Sequence, residues 1–345
     1  MKKRWTALVL ALVAAAGVVL ALWFWDRGRS QGQVWERQLF AMDTVMTLTA
    51  YGPGGEAAVA EAAQELQRLD ALWSVGKPDS DLAQLNAGKT QTVSAETAAL
   101  LERALDVSRE TGGLFDATIY PLVELWGFPG DAPHVPDPAD IAATLPVVDS
   151  ARVTLAGERV ELGPGQKLDL GGIAKGYASA RVMDIFRAHG VESGMVSLGG
   201  NVQTLGAKPD GSPWRIGVRD PAGSAASYLG VLSVEDKAVI TSGGYERFFE
   251  ENGQRYIHIL DPRTGWPAQS DLQSATVVSA DGVLADALST ALYIMGSEEA
   301  AAFWADRADQ FDMVLLTQSG QVLVTPGLAD RFQTELATTV LTAGE

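Results

Sequence analysis

At 345 residues the chain is long enough for one large or two ordinary domains. Its formal net charge of -17 argues against nucleic acid, whose binders carry basic patches, and obliges any anionic ligand to be held by a local positive device: a metal ion, a helix N-terminus, or a few placed Lys and Arg. There is no Cys, which excludes disulfides, thiolate nucleophiles, thiolate metal sites and iron–sulfur clusters.

The N-terminus begins with the basic Met1-Lys-Lys-Arg. A largely apolar run follows from Thr6 to Trp25, about as long as a membrane span requires. Trp23, Phe24 and Trp25 close the run where an interfacial aromatic belt would lie. The positive-inside rule puts Lys2, Lys3 and Arg4 in the cytoplasm and the rest of the chain outside. The expectation is an uncleaved anchor over residues 1–25, with a cleaved signal peptide as the alternative. A lipoprotein anchor is ruled out, since it needs a Cys.

Residues 26–36 read as a polar linker and 37–345 as the folded unit. Residues 39–51 predict one strand, ended by Gly52-Pro-Gly-Gly, and 56–73 a helix with apolar positions at helical spacing. A second helix is predicted over 94–110, and the Pro- and Asp-rich stretch 129–146 reads as an irregular excursion. Short strands are predicted at 152–155 and 159–162. A helix follows over about 173–189, then strands at 194–198, 202–205, 214–219, 228–234, 238–241, 256–260 and 273–278. Helices at 282–295 and 298–307 and a hairpin of 313–317 with 321–324 close the chain. Strands and helices mix without strict βαβ alternation, so the fold class is α+β.

Two stretches carry the chemistry. Asp169-Leu-Gly-Gly-Ile-Ala-Lys-Gly is a Gly-rich turn opening a helix, with an acid and a lysine aboard. It is neither a P-loop nor a dinucleotide fingerprint. Its glycines still allow close backbone approach, and the helix start attracts phosphate. The plain reading is a tight turn with Asp169 as a helix cap. In Ala285-Asp-Ala-Leu-Ser-Thr, Asp286 and Thr290 lie four apart on one helix face, an oxygen pair that suits Mg²⁺ beside a phosphate. The plain reading is a solvated face with a packing Thr. Of three His, His134 lies in a loop and His189 at a helix end. His258, on the predicted strand beside Asp261-Pro-Arg-Thr-Gly, is the best candidate for a general base. Trp126 and Phe115 lie near glycines, but core packing explains both.

Taken in order, these segments resemble the ApbE family, the FAD:protein FMN transferases. The matching segments run from Met42 to about Gly296. They are Met42-Asp-Thr-Val-Met, Pro78-Asp-Ser-Asp-Leu-Ala-Gln-Leu-Asn, Phe115-Asp-Ala-Thr with Leu125-Trp-Gly-Phe, the Gly-rich turn, Ser197-Leu-Gly-Gly-Asn, Trp214-Arg-Ile-Gly-Val-Arg-Asp-Pro, Thr241-Ser-Gly-Gly, His258-Ile-Leu-Asp-Pro-Arg-Thr-Gly and Ala285-Asp-Ala-Leu-Ser-Thr-Ala-Leu. Any one is weak; their joint order is specific.

The resemblance implies an ApbE-like, T-fold-related α+β domain of mixed sheets and packed helices. It implies FAD as substrate, Mg²⁺ as cofactor, and transfer of FMN to a Thr or Ser hydroxyl of a target protein, with release of AMP. Asp286, Thr290 and the carbonyl of Ala174 would hold the metal. Met42, Phe115, Asp116, Asp169, Lys175 and Leu260 would line the FAD site, and His258 would be the base. An FAD pyrophosphatase and a non-catalytic flavin binder are the alternatives. Two positions depart from the family: Gly76 stands where an aromatic is common, with Trp73 as a nearby substitute, and Gly244 replaces a polar or acidic residue.

Overall fold

The computed structural model describes residues 32–130, 132–223 and 227–342. The predicted membrane anchor lies outside the described residues. Among those described, no helix is long and apolar enough to cross a membrane.

The predicted strand over 39–51 is a hairpin. Strand β1 (Val34–Ala41) turns through Met42 and Asp43 into β2 (Thr44–Tyr51), with Ala41 opposite Thr44. Both turn residues have positive φ, 48° and 58°, as a two-residue hairpin turn demands. Met-Asp is not a usual pair for such a turn, so nothing in the sequence marked it. Strand β1 also takes in residues 34–36 of the predicted linker; exposed Glu36, Arg37 and Gln38 make an edge strand read as polar.

Helix α1 (Gly55–Trp73) buries one face through Ala58, Val59, Ala62, Leu66 and Leu69. Two short helices escaped the sequence reading, α2 (Asp81–Asn86) and α4 (Tyr120–Leu125), on either side of α3 (Ala95–Glu110). Ser80 and Ser94 cap α2 and α3 through their side chains. The stretch read as irregular contains α5 (Pro138–Thr144), with Asp137 capping and Pro at its first position. Strands β3 (Thr154–Ala156) and β4 (Arg159–Glu161) form a small hairpin before α6 (Ala174–Ala188).

Then come β5 (Ser193–Leu198), β6 (Asn201–Leu205), β7 (Trp214–Arg219), β8 (Tyr228–Val234), β9 (Ala238–Gly243), β10 (Phe248–Glu251), β11 (Gln254–Ile257) and β12 (Leu272–Ser279). Helices α7 (Gly282–Met295) and α8 (Ser297–Ala305) precede β13 (Asp312–Thr317), β14 (Val322–Val324), β15 (Phe332–Gln333) and β16 (Thr338–Val340). The predicted strand 256–260 ends early, so His258 lies just beyond β11.

Nine strands form one sheet in the order β1-β2-β5-β6-β9-β12-β13-β14-β16, antiparallel except for the final pair. Helices α1, α6 and α7 pack on one face over a large core that includes Leu48, Phe186, Val277 and Leu288. The three-stranded sheet β15-β8-β7 covers the other face, where Trp214, Leu232, Val278 and Val314 form a second core. Central β12 is therefore buried on both faces, with small polar Ser274, Thr276 and Ser279 buried among its apolar residues. A third cluster, around Leu122, Trp126, Phe128, Ile141 and Leu260, joins α4 and α5 to the β10–β11 hairpin. The mixed α+β architecture agrees with the sequence reading.

Candidate active site

The site grows from a contact between two helix starts. Gly176 of α6 and Gly282 of α7 meet backbone to backbone, and a Cβ on Gly176 would collide with the Gly282 carbonyl. This approach lets Asp286 reach across. Its Oδ2 accepts from the Gly176 N–H at 2.8 Å, and its Oδ1 accepts from Asn201 Nδ2 at 2.8 Å. Ile173, at the N-cap of α6, offers no side-chain cap. Asp286 therefore caps α6 from another helix and places a carboxylate at its positive end. It is 4% exposed, so the solvated-face reading fails. Asp169 is not the helix cap either; its Oδ1 accepts from Gly171 N at 2.7 Å and shapes the turn before the helix.

Thr290, one turn beyond Asp286, is half-buried, with its hydroxyl 3.3 Å from Ser242 Oγ. Ala174 is the first residue of α6, in the turn that Asp286 grips. A carboxylate and a hydroxyl one turn apart on α7, with the start of α6 held against that carboxylate, make an all-oxygen donor set of a kind that fits Mg²⁺. Asp286 keeps lone pairs beyond the two it uses. Among the described residues, no group of three or more His, Asp or Glu is placed to hold a metal, so this mixed set carries the metal reading.

The family-like segments are bonded to one another. Asn86 takes both backbone groups of Leu168, immediately before the Gly-rich turn. The N–H of Asp169 donates to the Ala117 carbonyl at 2.8 Å. Trp126, fully buried, donates to the Gly265 carbonyl at 2.9 Å and pins the Asp-Pro-Arg-Thr-Gly turn. Arg247 donates to the Phe128 carbonyl at 2.8 Å, and its own carbonyl lies 3.1 Å from His258 Nδ1. Phe115 lies against Gly172, where a Cβ would crowd its ring, and so rests on the Gly-rich turn. Asp116 is spent inside the fold. It accepts from Thr118 N and Oγ1 and from Ser150 N, which makes it a brace for the Phe115 segment.

Met42 sits in the β1–β2 turn, at the same end of the sheet as Asn201, because Met46 pairs with Leu198 and Leu198 with Asn201. Leu260 is buried in the aromatic cluster and bridges to Pro267. The side chain of Lys175 lies 3.3 Å from the Gly171 carbonyl. His189 contacts Glu61 at a helix end, and His134 is in an exposed loop, so both keep their plain readings. Trp73 does not substitute at Gly76. It is buried, donates to Thr97 Oγ1, and meets Tyr177 edge-on, while Gly76 faces open space.

The electrostatics add residues that the sequence did not single out. Asp169 feels Lys175 and Arg247; Glu246 feels Lys175, Arg219 and Asp286; His258 feels Arg247 and Lys175. Asp169 is half-buried and Glu246 is exposed at its surface, and crowding by protein is the main cause of each shift. It raises the carboxyls of Asp169 and Glu246 above their ordinary values against the pull of the neighbouring cations. For His258, burial first and the cations second lower the pKa to about 4, so the imidazole is neutral at pH 7. Its Nδ1–H faces the Arg247 carbonyl, which leaves Nε2 as the free acceptor.

A helix N-terminus, a buried carboxylate with a hydroxyl one turn on, and Lys175 in the Gly-rich turn are the features a phosphate-bearing ligand and its cation would need. The chain belongs to the ApbE family, whose model matches residues 42–315. It is 34% identical over 327 residues to the FAD:protein FMN transferase of Treponema pallidum (strain Nichols), an alignment covering 88% of this chain and 90% of that one. It is 35% identical over 311 residues to the enzyme of the same name from Klebsiella pneumoniae (strain 342), with 88% and 95% covered. The ApbE protein of Thermotoga maritima has the same fold, with a TM-score of 0.79, 32% identity, and coverage of 84% of this chain and 96% of that one. The apo flavinyl transferase ApbE of Pseudomonas stutzeri matches with a TM-score of 0.77, 30% identity, and 88% and 98% covered.

Proposed function

We propose that this chain transfers FMN from FAD to a Thr or Ser hydroxyl of a target protein and releases AMP. The reaction is Mg²⁺-dependent, and the N-terminal segment holds the catalytic domain on the outer face of the cytoplasmic membrane. The names carried by its relatives support the activity. The observation that carries the chemistry is Asp286, a buried carboxylate that caps the start of α6 at Gly176, one residue after Lys175.

Held by Asp286, Thr290 and the Ala174 carbonyl, Mg²⁺ would neutralise phosphate charge and stabilise the departing AMP. Lys175 and the positive end of α6 bind the pyrophosphate, and Arg219 and Arg247 offset its charge. The acceptor hydroxyl gives its proton to His258 Nε2. Its oxygen bonds to the FMN phosphorus as the bond to the AMP phosphate breaks. Asp261, the nearest other carboxylate in sequence, is engaged by Arg263 on both oxygens and is a poorer base.

The test is incubation with FAD, Mg²⁺ and a flavin-accepting protein, following AMP release and protein-bound flavin fluorescence. Covalent flavin that depends on the acceptor hydroxyl is expected. AMP released at the same rate without acceptor, with no labelled protein, would mean a pyrophosphatase. No AMP under any condition would mean a binder.

A further inference from the structure

Two residues outside the ligand set, one buried and one half-buried, hold that set in position. Resting on the metal reading above, we infer that Asn201 and Ser242 are positioning residues, which orient Asp286 and Thr290 for a divalent cation.

Asn201 opens β6 and is 5% exposed. Its Nδ2 donates to Asp286 Oδ1 at 2.8 Å, while Gly176 N holds Oδ2 from the other side. The carboxylate is therefore gripped at both oxygens and its plane is fixed. Each oxygen keeps a second lone pair, and neither can swing away when the site is empty. Without Asn201, one oxygen of a buried anion would have lost its donor.

Ser242 acts on the other ligand through donor counting. Ser289 Oγ donates to the Asp286 carbonyl at 2.8 Å, which commits its single proton. Ser242 and Ser289 are 2.8 Å apart, so Ser242 must be the donor in that pair. Thr290 then has to donate to Ser242, across 3.3 Å. The chain of hydroxyls runs one way: Thr290 to Ser242 to Ser289 to backbone. It turns the Thr290 proton towards β9 and leaves the oxygen lone pairs for a cation. A hydroxyl free to rotate would point its proton at the ion in part of its population and weaken the site. Groups of this kind are worth about 10- to 100-fold in metal affinity elsewhere.

The test uses the full chain with FAD present and Mn²⁺ as the probe, free Mn²⁺ being read by electron paramagnetic resonance. Asn201→Ala and Ser242→Ala should each weaken Mn²⁺ binding by about 10-fold or more. Ser242→Thr keeps a hydroxyl and should bind close to wild type. A purely structural role would lower the melting temperature without this rescue pattern. If Asn201→Ala does not fold, the Ser242→Ala and Ser242→Thr pair decides. Wild-type affinity in both alanine variants, with Asp286→Asn impaired, overturns the inference and leaves the metal reading standing. Wild-type affinity in Asp286→Asn as well removes the metal reading itself.

Discussion

Asp286→Asn is the most informative single change, because it separates the two roles that the structure gives this side chain. As a cap, Asp286 holds Gly176 N–H and Asn201 Nδ2. An amide has one acceptor where the carboxylate has two, so one of those donors is left facing an NH₂ group. The cost in stability is about 1–3 kcal/mol for a buried donor losing its partner. In a chain of this size a kcal/mol moves the melting temperature by about 2 °C or less, so the variant should stay folded at assay temperature. As a metal ligand, its loss removes several kcal/mol of charge stabilisation, and at 1.36 kcal/mol per tenfold that is about 10²- to 10⁴-fold in turnover. The assay pairs AMP release with melting curves at rising Mg²⁺. Wild type should gain stability as Mg²⁺ rises, and the variant should not. Mg²⁺-dependent turnover within a few-fold of wild type would refute the assignment, whatever the melting curve shows.

His258→Ala should still bind FAD but lose transfer by about 10²- to 10⁴-fold, with an unchanged melting temperature. Because the free protein holds His258 near pKa 4, transfer by wild type should be flat from neutral pH down to about 5 and fall only below that; a loss centred near 6.5 would contradict the environment described. The same depression means that this residue's contribution to stability is complete above about pH 6.5 and is lost as pH falls through 4, where only the unfolded chain takes up the proton first. Gly176→Ala should fail to fold or lose more than about 2 kcal/mol in denaturant melts, since its Cβ has no room against the Gly282 carbonyl; wild-type stability would mean that the helices are not this close. A reporter fused after Glu345 should be active only outside the cytoplasm, and activity confined to the cytoplasm would sink the topology.

Much of the fold was legible because its elements obey simple periodicities. The apolar positions of α1 and the alternation in β7 announce themselves, and Asp281 and Ser94 mark helix starts by their chemistry. What stayed hidden depends on pairing across the chain. The β1–β2 turn uses Met42 and Asp43 in a conformation with no strong sequence signal. His258 left its predicted strand because the pairing shifts from β10 to Pro267–Ala268 at that point. In the site, Asp286, Asp169, Lys175 and Asp116 could be named from their motifs, but the bonds by which Asp116 braces the Phe115 segment could not. Arg219 stands within the Trp214–Pro221 segment and Glu246 and Arg247 just beyond Thr241-Ser-Gly-Gly, and no spacing rule singles any of them out. Only the folded chain brings them to Lys175.

An acidic chain that must hold a polyanion faces a conflict, and the site shows how it is met. Asp169 faces Lys175 and Arg247, and Glu246 faces Lys175, Arg219 and Asp286. Burial raises Asp169, so its stabilising contribution is present at low pH and is lost as pH rises through its raised value. In the ligand-free cluster these carboxylates and cations offset one another. A phosphate entering alone would compete for the cations and leave the carboxylates unmatched; a divalent cation entering alone would do the reverse. Each ligand should therefore bind better in the presence of the other, and by linkage the two enhancements must be equal. The expected coupling is about 1–3 kcal/mol, or roughly 5- to 150-fold in affinity. Titrating FAD by calorimetry with and without Mg²⁺, in the Thr290→Val variant as well as wild type, measures it. The coupling should be present in wild type and reduced in the variant, which keeps the charges but loses an oxygen ligand. FAD affinity that is indifferent to Mg²⁺ in wild type would show that the cation and the pyrophosphate do not share this cluster.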